Sequence, residues 1–125
     1  MSLPVDAQAM MAKMLGKPLF VVLRVPADLS RFAEMLTPHL QWAAQCEQRG
    51  ELFASGPFVG EGGAPGALGG MSIFRAASES EVREILAGDP FIREGVYTIE
   101  IKKWILMEGG VTVSLRFSDQ SYLLR

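Results

Sequence analysis

The chain has 125 residues, about the length of one domain, and 49% of them are hydrophobic against 21% charged, which excludes a disordered or fibrous protein. Twelve Lys and Arg against fourteen Asp and Glu leave a net charge of -2, so there is no basic field to hold nucleic acid as a main partner.

Residues 6–15 (DAQAMMAKML) predict a short helix capped by Asp6 and ended by Gly16 and Pro18. With the residues before it, this helix forms an N-terminal arm, 1–18. Leu19 to Val25 (LFVVLRV) carries the strongest strand signal, with Leu19, Val21, Leu23 and Val25 on one face and Phe20 and Val22 on the other. Apolar on both faces, it belongs at the centre of a sheet. Asp28 to Leu36 reads as a loose helical turn. A firmer helix is expected from Thr37 as N-cap, with Pro38 at the first helical position, as far as Gly50. Glu51 to Ser55 reads as a short strand. The stretch from Gly56 to Gly70 then holds seven of the thirteen glycines. Met71 to Ala76 is a further strand, and Ser78 with Glu81 forms a capping box opening a helix to Gly88. Val96 to Met107 predicts a long strand, Gly109 and Gly110 a turn, and Val111 to Phe117 an additional strand.

The order is βαββαβ with an extra C-terminal strand. It predicts an α+β, ferredoxin-like sandwich with an antiparallel sheet and two helices on one face. The main domain is then 19–107, followed by a C-terminal strand extension, 108–125. No stretch approaches the ~20 apolar residues of a membrane span. Met1 to Lys17 lacks the basic start and apolar run of a signal peptide. The lone cysteine, Cys46, closes no intrachain disulfide, and together these features predict a soluble cytoplasmic protein without a membrane partner. A mean hydropathy of +0.20 has to be hidden in a core and an interface.

His39 is the only histidine. Its helical neighbours Leu36, Trp42, Ala43 and Cys46 form an apolar stripe. Asp89, at the end of the second helix, projects to the same side as Leu86, Ile85 and Val82, where an unpaired charge costs several kcal/mol. In this topology the two helices run antiparallel, so the start of one lies beside the end of the other. The fold thereby brings His39 to Asp89. A carboxylate on one ring nitrogen fixes the tautomer and leaves the other as an acid or base. Two effects on the imidazolium oppose each other, a helix N-terminus against it and Asp89 for it. The same pair also reads as a structural bridge between helices, and Asp89 as a helix stop before Pro90.

GPFVGEGGAPGALGG has no Lys and no following helix, which excludes a P-loop or dinucleotide turn and leaves a rim or hairpin connection. Cys46 reads as packing. One His, one Cys and scattered carboxylates show no metal-ligand spacing. Phe58, Phe91, Tyr97 and Trp104 are candidates for an aromatic pocket or for ordinary core.

The segments PHLQWAAQCEQRGELFASGPF and LAGDPFIREGVYTIEIKKW resemble the YciI-like (YCII-related) proteins over roughly Leu19 to Met107. The motifs that carry the resemblance are His39, Ser55-Gly56-Pro57-Phe58 and Asp89-Pro90-Phe91 with Gly95. The resemblance implies a fold that dimerises through its sheet face, as in the dimeric α/β barrels related to muconolactone isomerase. It also implies a His–Asp acid/base pair in a pocket, here His39 and Asp89, and one characterised branch removes chloride from a chlorinated hydroxyhydroquinone. Some relatives have Asp where Ser55 stands, and a hydroxyl cannot replace a second carboxylate in acid/base work.

Two readings follow. In the first, the chain is a small enzyme of lyase or isomerase type that needs no cofactor or metal. His39 moves a proton on a small cyclic or aromatic substrate and Asp89 orients it. Ser55 donates a hydrogen bond, Gly56 and Pro57 shape a wall, and Phe58 and Phe91 supply apolar walls. In the second, it is a non-catalytic dimeric metabolite-binding or interaction module with a structural His–Asp clamp, whose pocket holds a metabolite or nothing and is closed or dry.

Overall fold

The computed structural model describes all residues from Met1 to Arg125, and they divide into two compact units, Pro18–Ile105 and the paired chain ends Met1–Lys17 with Leu106–Arg125. In the larger unit, β1 (Lys17–Pro26) leads through a 3-10 turn (Leu29–Arg31) into α2 (Phe32–Gln48), the helix α1 (Val5–Met11) lying before it in the chain. There follow β2 (Leu52–Pro57), β3 (Gly70–Phe74), α3 (Glu79–Leu86), the one-turn α4 (Pro90–Arg93) and β4 (Tyr97–Leu106). The sheet order is β2-β3-β1-β4, the antiparallel ferredoxin-like arrangement expected from the sequence. Within one copy the sheet stays open, with β2 and β4 as edges, so no barrel closes.

The alternation of β1 decides what each sheet face does. Phe20 and Val22 pack with Trp42 and Cys46 of α2, Phe74 of β3, and Val82 and Leu86 of α3. Register places Phe20 opposite Phe74, Val22 opposite Ser72 and Arg24 opposite Gly70. Arg24 therefore continues the helix-covered face and is buried. The other face carries Leu19, Val21, Leu23 and Val25.

The main helix begins at Phe32, earlier than the Thr37–Pro38 signal suggested, so Pro38 lies inside it. An internal proline removes one backbone bond and costs ~3 kcal/mol or more. Packing of Phe32, Met35 and Leu36 around the buried Phe91, Val96 and Tyr97 offsets it. Asp28 supports the entry by capping the 3-10 turn, its Oδ1 accepting from the Ser30 amide at 3.0 Å. The capping box is present in altered form. Ser78 accepts from the Glu81 amide at 3.1 Å, while Glu81 reaches back to the Ala77 amide at 2.9 Å.

Between β2 and β3 the glycine-rich segment is a hairpin connection whose base closes by Phe58 N–H donating to the Gly69 carbonyl at 2.9 Å. Gly69 has φ +83°, and a Cβ there would stand 1.9 Å from the Arg24 carbonyl oxygen. Only glycine fits so close a backbone approach.

In the smaller unit α1 is shorter than expected and starts after Pro4, with no side-chain cap; Asp6 lies in its first turn. The C-terminal segment forms its own hairpin, β5 (Val113–Leu115) with β6 (Tyr122–Leu124), in place of the single added strand that the alternation of Val111 to Phe117 suggested. Asp119 nucleates the turn, accepting from both the amide and the hydroxyl of Ser121 at 3.0 and 2.6 Å.

Candidate active site

Three elements converge on one carboxylate. Asp89 is fully buried and caps α4, its Oδ1 accepting from the Phe91 amide at 3.0 Å. It therefore begins a new helix rather than ending α3, and Pro90 at the first position suits that start. The same Oδ1 lies 2.8 Å from Nδ1 of His39 on α2, and Oδ2 accepts from Nη1 of Arg24 on β1 at 2.8 Å. His39 and Arg24 are themselves only 12% and 6% exposed.

Paired to a guanidinium, Asp89 offers only acceptors, so Nδ1 must donate and Nε2 carries the lone pair of the neutral ring. Nε2 has no protein partner, and no buried side-chain nitrogen or oxygen in the structure lacks one. Nε2 is therefore accessible. The ring stacks on Phe91 at 4.2 Å and leans on Trp42 at 5.8 Å, which fixes its plane. Because α2 begins at Phe32, His39 sits two turns inside it. The helix N-terminus acts mainly over the first turn, so its dipole lies away from the ring, which Asp89 meets directly.

His39 and Arg24 line a cavity of about 730 Å³. Its other walls come from Phe32, Leu36 and Leu40, from β2 between Leu52 and Pro57, and from Phe91 and Tyr97. Ala64, Pro65 and Gly66 of the glycine-rich connection form its rim. The Tyr97 hydroxyl donates to the Gly66 carbonyl and ties that rim down. Burial raises the Tyr97 pKa, with the Arg24 charge opposing. Ser55 faces Ser72 across the β2–β3 pair, hydroxyl to hydroxyl at 2.9 Å, and borders the cavity. No three His, Cys, Asp or Glu side chains come together as a metal-ligand set.

The model of the YCII-related domain matches residues 19–105. The chain belongs to the YCII-related family. Among solved structures, one of 5-chloro-2-hydroxyhydroquinone dehydrochlorinase from Burkholderia phenoliruptrix AC1100, in complex with 2,5-dihydroxybenzoquinone, is similar at a TM-score of 0.57. The two chains are 22% identical over 69% of this chain and 92% of the other, a likeness of fold. No curated protein matches the chain.

Within this YCII-related domain the residues singled out from sequence separate into three positions. His39, Ser55, Gly56, Pro57 and Phe91 border the cavity. Asp89 lies behind them, touching the cavity only through its partners. Phe58 falls outside the lining and is 42% exposed, because the strand ends at Pro57 and the chain turns outward there. Trp104 is also outside the lining, whereas Tyr97 belongs to it. Cys46 is buried, and burial raises its thiol pKa, as suits a packing residue. Sequence reasoning passed over Arg24 and Phe32. For Arg24 the signal was present: a charge in register with Phe20 and Val22 on a face that helices must cover.

Proposed function

We propose that this YCII-related protein is a small enzyme of lyase or isomerase type, with His39 as the acid/base and Asp89 as the residue that positions it. The observation that carries the reading is an accessible Nε2 at the wall of a largely apolar cavity, opposite an Nδ1 fixed by a buried carboxylate. A closed pocket would have favoured the clamp alone. The aromatic side chains of Phe32, Phe91 and Tyr97 suit a small cyclic or aromatic substrate. In a dehalogenating version, Nε2 takes a substrate proton, the released electron pair forms a new double bond, and the carbon–chlorine bond breaks to expel chloride. The imidazolium then returns the proton to water. Ser55 borders the same space as a hydrogen-bonding group, and no cofactor enters this scheme.

The first substrate to test is 5-chloro-2-hydroxyhydroquinone, the compound in the neighbour's name, with chloride release as readout. Turnover should fall ~10²–10⁴-fold in His39→Ala, the range typical of general acid–base catalysis. Turnover that survives this substitution on any true substrate ends the proposal.

We also propose that two copies pair through the outer sheet face. Val25, Met71 and Trp104 are 47%, 37% and 38% exposed there, an apolar surface that a second sheet would cover.

A further inference from the structure

The cavity holds a second chemical device besides the histidine. A guanidinium has five N–H donors, and in Arg24 only Nη1 has a protein partner, Asp89. Nε and Nη2 have none. Since no buried side-chain nitrogen lacks a partner, both atoms are accessible, although Arg24 as a whole is 94% buried, being 6% exposed. The opening available to them is the cavity that Arg24 lines. Arg24 is the one Lys or Arg side chain in that lining. Trp42 braces it, with its ring centroid 5.9 Å from the guanidinium carbon.

We propose that Arg24 is the specificity-determining residue of the cavity, receiving an anionic oxygen of a planar ring ligand, a carboxylate or a phenolate, on its free Nε–Nη2 edge. This deepens the acid/base reading and rests on it for where the ligand sits. The planar fork suits an oxyanion better than a neutral oxygen, and poor solvation strengthens charge-assisted bonds. Burial is the largest influence on the guanidinium, pulling its pKa down against the opposing pull of Asp89. Asp89 gives its other oxygen to His39 and the Phe91 amide, so the Nε–Nη2 edge of the guanidinium keeps donors for a further acceptor. Held there, a ring would lie in the space that His39 and Phe91 also border.

The test is binding by calorimetry to the whole chain, with benzoate against benzamide and 4-nitrophenolate against 4-nitroanisole. Wild-type protein should bind at least one anion about tenfold or more tightly than its neutral counterpart. The anion that wins identifies a carboxylate or a ring oxyanion as the source. The preference should vanish in Arg24→Met. Because that change strands a buried carboxylate, Arg24→Met with Asp89→Asn serves as the folded control. His39→Gln should keep the preference. Equal binding of charged and neutral probes, no binding of either anion, or a preference that survives the double variant each overturns the proposal. Turnover that survives His39→Ala would end the acid/base reading and leave this preference standing. A missing preference with His39-dependent turnover would do the reverse.

Discussion

Asp89 is one carboxylate with three obligations: it orients His39, neutralises Arg24 and starts α4. Removing one member of a buried charged pair typically costs ~3–5 kcal/mol, since the other is left uncompensated. Asp89→Ala should therefore lower the unfolding free energy by about that much in urea titration. Asp89→Asn, which keeps an oxygen for the Phe91 amide, should lose less. A loss under ~1 kcal/mol in Asp89→Ala would mean that the network holds nothing together. The histidine and aspartate could be paired from sequence because helix order alone sets them side by side. Arg24 could not be recognised by counting apolar residues in LFVVLRV, since one charge hardly alters that sum. Only its place in the two-residue period reveals it, and the partner that makes it tolerable lies 65 positions away.

At the level of elements, the four strands of the main sheet and the helix capped by Ser78 were legible because turn residues and alternation agree there. The start of α2 was not. Pro38 carries a strong local start signal, yet tertiary packing upstream overrides it, and no local rule registers contacts with Phe91 and Tyr97. The rim of the cavity shows the same dependence on distant partners, since Tyr97 of β4 donates to Gly66 of the β2–β3 connection. Burial raises the Tyr97 pKa, so the folded state holds that proton more tightly than the unfolded chain does. The resulting stability is complete below the ordinary tyrosine range near ~10 and is lost as pH rises through the raised value. Absorbance titration of a Tyr122→Phe variant should show ionisation above that range. An ordinary midpoint would contradict the buried hydroxyl. Tyr97→Phe should let proteases cut the 58–69 connection faster than in the wild type.

For the whole molecule, the βαββαβ order was readable and the behaviour of the chain ends was not. Arm and tail looked like separate additions, whereas they form one unit, with the Leu15 amide donating to the Met107 carbonyl at 3.2 Å. The short alternating tail folds on itself because Asp119 and Ser121 build a turn that leaves Val113 opposite Leu124. The proposed pairing of copies is checked by sedimentation. Wild-type protein should run as a dimer and Met71→Glu as a monomer, because a carboxylate would have to be desolvated in the joint. A monomeric wild type at all concentrations refutes it. Neighbouring residues of β1 look in opposite directions, Arg24 into the cavity and Val25 away from it. A subunit seated on one side of that strand would restrain the backbone that carries the guanidinium on the other. Self-association and small-molecule occupancy would then be thermodynamically linked, each tightening as the other rises.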